Sequence, residues 1–315
     1  MIEIHSEDTV NDLKPMVSII VITYNSSKYL LDTLMSAKNQ SYHNIELIIS
    51  DDGSTDDTKN ICEEWLQNNK DRFIGTELIT VQKNTGIPAN LNRGLKKAKG
   101  EWLKFIAGDD ILDINCVKSY MDFVNKDQLK PSFLFSNLVF FQNSIDNIVR
   151  VDQIDKLITK KQKHQFLDYL CDRPTITPSG FISKEILVSL GGYNEKYRLL
   201  EDVPLFIKAL RKGIPFNLLN ENLVYYRISE VSISNDSENS NSVSKLFLQS
   251  IQQYYNFEIY PELLKRFLIL NYLKAKVKFR FASTGKYPNN IVTKVMYKLI
   301  IKLALFEKKT RLFFK

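Results

Sequence analysis

Val17-Ser-Ile-Ile-Val-Ile-Thr-Tyr-Asn25, Ile45-Glu-Leu-Ile-Ile-Ser-Asp-Asp-Gly-Ser54 and Trp102-Leu-Lys-Phe-Ile-Ala-Gly-Asp-Asp110 follow one pattern. Each starts as a short, mostly apolar run and stops abruptly in polar residues. Apolar residues without alternation mark a strand covered on both faces. Between these runs the period changes to that of a helix. Residues 27–39 place Tyr29, Leu30, Leu34 and Ala37 on one side. A second helix is expected to begin near Ser54-Thr55, which read as caps, and to run to about Leu66. A strand near 78–82 and a helix over about 88–98 continue the alternation. Strands alternating with helices predict an α/β fold, with a mainly parallel, Rossmann-like sheet and right-handed crossovers.

In an open parallel sheet, ligands bind beyond the carboxyl ends of the strands. The residues expected there are Thr23-Tyr24-Asn25, Asp51-Asp52, Asn84-Thr85-Gly86 and Asp109-Asp110. Helix capping accounts poorly for four carboxylates at one edge, because adjacent carboxylates repel unless a cation lies near. Paired hard oxygens suit Mg²⁺ or Mn²⁺, which commonly bridge protein carboxylates and substrate phosphates. Tyr24 presents a ring on which a base can stack, an interaction of roughly 1–3 kcal/mol; ordinary packing is its alternative role.

Past Asp113 the alternation loosens. The sequence predicts a helix to about Asn125, a strand over 132–141, a polar stretch, a helix over 163–171, a strand over 175–183, a helix over 202–212 and a hairpin around 215–227. Residues 229–244, rich in Ser and Asn, read as a flexible linker. The remainder, 245–315, reads as helical. From Pro261 to Lys315 there are 14 Lys and Arg against 2 acids, while the whole chain carries +7. Within this basic region, Lys294, Lys298 and Lys302 alternate with Val295, Leu299, Ile300, Leu303 and Phe306. That is a basic amphipathic helix, able to pack on the body or to lie on an anionic bilayer.

Other classes are disfavoured. No run approaches the roughly 18 apolar residues of a membrane span, and the polar start MIEIHSEDTVNDLKP does not read as a secretory signal. A cytoplasmic protein with reduced thiols is the expectation from Cys62, Cys116 and Cys171, which are widely spaced. The first strand–helix turn, TYNSSKY, lacks the glycine fingerprint of dinucleotide folds, and no GxxxxGK[ST] occurs. The three histidines, His5, His43 and His164, are not spaced as zinc ligands.

Taken together, these segments resemble family 2 of the glycosyltransferases, which have the GT-A fold. The resemblance is strongest from about Pro15 to Asp110: Val17–Asn25, Asp51–Asp56, Asn84-Thr-Gly86, Asn92-Arg-Gly94, Ala98-Lys-Gly100 and Gly108-Asp-Asp110 occur in the family's order. It is looser over Ser179-Gly-Phe181, Gly191-Gly-Tyr193, Glu201-Asp202 and Tyr226-Arg227. The resemblance implies a catalytic domain over 1–228, with a nucleotide-binding half (about 15–112) and an acceptor half (about 113–228). It implies an inverting enzyme that moves a sugar from a UDP-sugar donor to a saccharide acceptor, in surface polysaccharide synthesis (O-antigen or capsule), with a lipid-linked acceptor met at the inner face of the cytoplasmic membrane.

Residue roles follow from the same resemblance. Thr23, Tyr24 and Asn25 would line the base pocket, with Asp51 accepting from the base edge and Asn84 and Gly86 closing the nucleotide site. Asp109 would lie towards the ribose, Asp110 would hold Mn²⁺ or Mg²⁺ on the diphosphate, and Asp202 would be the catalytic base. Many relatives have an arginine where Leu91 stands, so Arg93 or Lys83 is expected to help hold the phosphates. The QxxRW signature of polymerising members is missing, which favours single addition. A nucleotidyltransferase would need a glycine-rich N-terminal loop, and a nucleic-acid binder using the basic tail would need a recognition motif; neither is present, so no nucleic-acid partner is expected.

Overall fold

The computed structural model describes residues 14–126, 132–174, 176–228, 235–236, 239–243, 245–284 and 291–313. The polar N-terminal lead falls outside them. The first half alternates as the apolar runs require: β1 (Val17–Thr23), α1 (Leu30–Lys38), β2 (Ile45–Asp51), α2 (Thr58–Asn69), β3 (Gly75–Thr80), α3 (Ile87–Lys97) and β4 (Trp102–Ala107). β3, β2, β1 and β4 lie side by side and parallel, with Ile20 opposite Ile48 and Phe105. Ile19, Ile20, Val21, Leu47 and Ile49 are fully or almost fully buried. Each such side chain contributes roughly 1.5–3 kcal/mol through lost contact with water.

Register at the sheet's lower end is locked by a buried carboxylate. Glu46 Oε1 accepts from Ser18 Oγ and from the backbone N–H groups of Lys99 and Gly100. This ties the Ala98-Lys-Gly100 turn to β1 and β2. A side chain at Gly100 would collide with Ser18, its Cβ falling 2.5 Å from that residue's N.

The second half comprises β5 (Ile111–Leu112), α4 (Cys116–Lys126), β6 (Phe133–Gln142), β7 (Ser144–Asp152), α5 (Ile154–Leu157), α6 (Gln162–Asp172), β8 (Phe181–Ser183), α7 (Lys184–Ser189), α8 (Asp202–Arg211) and β9 (Phe216–Arg227). It extends the sheet in the order β4-β8-β6-β9-β5, with β7 paired to the later residues of β6, Leu138–Gln142. Here the pairing is mixed: β8 is antiparallel to β4 and β6, while β6 and β9 run parallel. Phe133, Phe135, Tyr169, Phe206 and Phe216 form an aromatic cluster beneath it. Three sequence expectations change. The polar stretch after 141 contains strand β7. The expected strand over 175–183 shortens to β8, preceded by a 3₁₀ turn at Thr177–Ser179. The expected hairpin over 215–227 is one strand, whose register against β6 slips around Asn137 and Asn222.

Of the expected linker, Asn235–Asp236 and Asn239–Val243 pair as a small antiparallel ribbon, β10 and β11, and its other residues fall outside the described ones. Beyond it come α9 (Lys245–Tyr254), a π-helical turn (Tyr255–Ile259), α10 (Tyr260–Lys265), α11 (Ile269–Thr284) and α12 (Ile291–Phe313). These helices pack on the α/β body. Tyr254 meets Tyr197 edge-on, Arg173 Nε donates to Tyr255 Oη at 2.7 Å, and Lys308 pairs with Asp168 and Asp172. No helix among the described residues is long and apolar enough to cross a membrane. Cys62, Cys116 and Cys171 are buried and unbridged, and burial pushes each thiol up to about 12, far from a reactive thiolate.

Candidate active site

The carboxyl ends of β1, β2 and β4 are stitched to one another by backbone bonds, Asp52 N–H donating to Thr23 O and Gly108 N–H to Ile22 O. Asn25 turns the chain in the left-handed region (φ 51°), a conformation its short polar side chain tolerates. Its Oδ1 then accepts from Thr55 N–H at 2.8 Å, while Ser54 Oγ accepts from Asn25 N–H. Ser54 and Thr55 therefore close the two loops together. They do not cap α2, which begins only at Thr58. Tyr24 stands out from this platform, 41 % exposed, with its ring available to a flat ligand.

Asp51 and Asp52 are both buried, for different reasons. Asp51 Oδ1 accepts from the N–H groups of Gly53 and Ser54, and its Oδ2 from Thr23 Oγ1 and Ser54 Oγ. Four donors occupy a carboxylate's acceptor capacity, so Asp51 here organises the turn beneath Tyr24. Asp52, to which the sequence gave no separate task, gathers the next loop. It accepts from Thr85 N–H and Oγ1, from Gly86 N–H at 2.8 Å and from Arg93 Nη2 at 2.6 Å. Arg93 also donates to Thr85 Oγ1. It is thus an anchor of the Asn84–Gly86 loop, whereas the sequence assigned it to phosphates; Lys83 is exposed and Leu91 is buried in the core.

That loop touches the second half through Arg198, whose Nη2 donates to Asn84 O and Oδ1 at 2.8 and 2.9 Å. Gly86 makes the approach feasible. It has φ 101°, and an added Cβ would sit 2.4 Å from Arg198 Cγ and 2.5 Å from Arg198 O. Gly86→Ala is expected to cost about 2–3 kcal/mol through backbone strain and this collision, read as a lower denaturation midpoint at unchanged slope. A loss within experimental error would mean that the two loops separate without consequence.

After β4, Asp109 and Asp110 diverge. Asp110 is 2 % exposed, and its Oδ1 accepts from Arg227 N–H at 3.0 Å, joining β4 to the end of β9. The Arg227 guanidinium donates to Asp109 O and Asp32 Oδ2 and lies against Tyr29 and Phe141. Asp109 is only half-buried. Burial raises both carboxyls above the ordinary range; Asp110 is raised further by the charge of Asp109, and Arg227 partly offsets the rise in Asp109. Two strained acids at a sheet edge fit a divalent cation that is shared with a ligand. They do not make a self-sufficient cage: among the described residues no three His, Cys, Asp or Glu side chains gather to hold a metal. Asp109 keeps more contact with solvent than Asp110. Asp110, the residue expected to hold the cation, is the more deeply buried of the two and spends one oxygen on Arg227 N–H.

Asp202 opens α8 and is half-buried, with Oδ2 accepting from Thr177 Oγ1 at 2.8 Å and Oδ1 from Val203 N–H at 2.6 Å. Thr177 belongs to the 3₁₀ turn before β8, which is held from below. Lys104 Nζ, entirely buried, donates to Phe105 O, Pro178 O and Gly180 O, and Tyr120 Oη donates to Ser179 O. Burial pushes the Lys104 ammonium down to about 8, with Asp110 among the charges that oppose the fall. Lys104 therefore links the floor under Asp110 to the turn that orients Asp202. Neither Thr177 nor Lys104 was legible as part of a site. A lysine inside an apolar strand, Trp102-Leu-Lys-Phe, was the available signal.

Against this geometry the comparisons are decisive for the family. The family model described as "Glycosyl transferase family 2" matches residues 18–187. The chain belongs to glycosyltransferase family 2. It is 30 % identical over 224 residues to an uncharacterised glycosyltransferase of Haemophilus influenzae, covering 70 % of this chain and 83 % of that protein. It is 26 % identical over 223 residues to the putative teichuronic acid biosynthesis glycosyltransferase TuaG of Bacillus subtilis, covering 71 % of this chain and 83 % of TuaG. Chondroitin synthase of Escherichia coli is 29 % identical over 264 residues, with 82 % of this chain matched to 34 % of that longer protein. Among solved structures, S. aureus TarS in complex with UDP-GlcNAc superposes with a TM-score of 0.56 at 18 % identity, over 85 % of this chain and 81 % of that one. The family 2 glycosyltransferase described here has the GT-A fold with an added helical C-terminal region, and its relatives include proteins named for teichuronic acid and chondroitin synthesis.

Proposed function

We propose that this glycosyltransferase moves a sugar from a UDP-sugar donor to the hydroxyl of a saccharide acceptor with inversion at the anomeric carbon. The acceptor proposed is a lipid-linked intermediate of surface polysaccharide synthesis, such as O-antigen or capsule, met at the inner face of the cytoplasmic membrane. The reading rests on two carboxylates: a half-buried Asp109 at the carboxyl end of β4, and Asp202 at the start of α8, which Thr177 orients from a turn that Lys104 of β4 holds in place. Donor binding of this kind is in keeping with the nucleotide-bound TarS structures.

Tyr24 would stack on the uracil, with Thr23 and Asn25 shaping the pocket and Asp51 holding the turn beneath it. Asn84 and Gly86 would bound the nucleotide through their contact with Arg198. Asp109, and not Asp110, is the carboxylate we assign to Mn²⁺ or Mg²⁺; such an ion, when bound, offsets negative charge on a departing diphosphate. Asp202 would take the proton of the acceptor hydroxyl as that oxygen attacks. A carboxylate aimed by a threonine and a backbone N–H is suited to that task. Because base and leaving group act on opposite faces of the sugar, an α-linked donor gives a β-linked product.

The division of labour between the two aspartates is testable by calorimetry. Titration of UDP in the presence of Mn²⁺ is expected to weaken in Asp109→Ala by at least the roughly 10–100-fold seen when metal sites lose a supporting partner. Asp110→Ala is expected to lower thermal stability instead, since it strands the Arg227 N–H. The opposite outcome, folded and metal-blind Asp110→Ala with unaffected Asp109→Ala, would return the cation to Asp110. Transfer itself is tested by UDP release from a panel of UDP-sugars with lipid-linked mono- and disaccharides; no release with any pair would refute the reading.

A further inference from the structure

We propose that the outward face of α12 docks on an anionic bilayer surface, lying in the plane of the interface. The helix has two faces of different character. On the inner one Ala304 is buried, Glu307 accepts from the N–H groups of Leu270 and Asn271 at 3.0 and 2.9 Å, and Lys308 lies 2.7 Å from Asp168. Ion pairs and the capping of α11 thus fix the helix to the catalytic body. On the outer face Val295, Leu299, Leu303 and Phe306 follow one another at helical spacing, each between 41 % and 67 % exposed. Lys294, Lys298, Lys302 and Lys309, all exposed, run along one margin of that stripe.

The sequence left open whether this segment packs on the body or meets a membrane. The structure separates the two tasks by face. Glu307, the only acid between 291 and 313, is spent on the inner side, so the outer face is apolar and cationic without a compensating carboxylate of its own helix. That combination matches an anionic headgroup layer over acyl chains, into which Leu299 and Phe306 would sink while the lysines meet the charge. A second copy fits less well. Pairing the face with itself sets lysine row near lysine row, which like-charge repulsion opposes. A phosphate backbone alone would leave the apolar stripe uncovered. As no helix among the described residues is suited to crossing the bilayer, the contact is peripheral. Because α12 is bonded to α6 through Lys308, docking would set the orientation of the whole catalytic body. This inference rests on the α12 geometry and not on the transfer reaction, although it suits a lipid-linked acceptor.

The test is co-sedimentation of the full chain with phosphatidylcholine vesicles, with and without phosphatidylglycerol. Binding is expected only with the anionic lipid and is expected to weaken with salt. The combined change Lys294→Glu, Lys298→Glu, Lys302→Glu should lower binding by more than about tenfold, and Leu299→Asp with Phe306→Asp should do the same. All these residues are exposed, so circular dichroism and UDP titration should be unchanged in both variants; that titration reports on the donor site independently of the lipid result. Equal binding to both vesicles, binding to neither, or a lipid-free dimer that the same substitutions dissolve would overturn the proposal.

Discussion

Asp202→Asn is expected to slow sugar transfer by about 10²–10⁴-fold, the usual contribution of a positioned proton acceptor, while UDP titration stays unchanged. Asparagine keeps the shape and can still accept from Thr177 Oγ1, so the substitution removes basicity and little else. The surroundings also fix the pH dependence. Burial raises Asp202, and Glu201 beside it is pushed up to about 8, first by burial and then by the charge of Asp202. The pair shares protons, so any observed value belongs to both. A base must be unprotonated to work, and a raised pKa delays that state to higher pH. Activity should therefore begin to climb at a pH above the ordinary carboxylate range and fall away on the acidic side. A profile that does not fall on the acidic side, or Asp202→Asn retaining transfer within about tenfold, would show that another group takes the proton.

The first half of the molecule was readable because burial on both faces keeps β1, β2 and β4 mostly apolar, with few polar residues such as Ser18, Glu46 and Lys104 inside them. The second half was not, for reasons visible in single elements. β7 is an edge strand with nearly every residue exposed, and its Ile145, Ile148, Val149 and Val151 are interrupted by polar residues, so Ser144–Asp152 lacks the unbroken apolar run of a buried strand. In β9, Asn220-Glu-Asn222 looks like a turn, yet the chain runs straight on with a shifted register against β6. The site divides in the same way. That polar residues collect at the ends of successive parallel strands follows from topology, and the sequence located them. What each carboxylate does depends on partners distant in the chain: Arg227 draws Asp110 inward across 117 positions, and Thr177 aims Asp202. Neighbouring aspartates look equivalent in a sequence and are not equivalent once one of them is needed to hold two strands together.

Asp52 is the clearest case, and its removal is expected to be the largest loss of stability. Asp52→Ala deletes the acceptor of Thr85 N–H, Thr85 Oγ1 and Gly86 N–H and leaves Arg93 without its 2.6 Å partner. Breaking a buried pair by removing one member costs about 3–5 kcal/mol, chiefly because the remaining charge is stranded. Arg93 retains some contact with solvent and with Thr85 Oγ1, which places the expectation at the lower end of that range. Donor binding should weaken as well, since Asn84 and Gly86 would lose the anchor that holds them against Arg198. The double variant Asp52→Ala, Arg93→Ala separates these contributions: it should recover part of the stability, because no unpaired guanidinium remains, yet not donor binding, because the loop stays untethered. Asp52→Asn, which keeps one accepting oxygen, should fall between wild type and Asp52→Ala. Urea denaturation with parallel UDP titration reads both effects. A loss below about 1 kcal/mol in Asp52→Ala, well short of the buried-pair range, would mean that the Asn84–Gly86 loop is held in place by Arg198 alone.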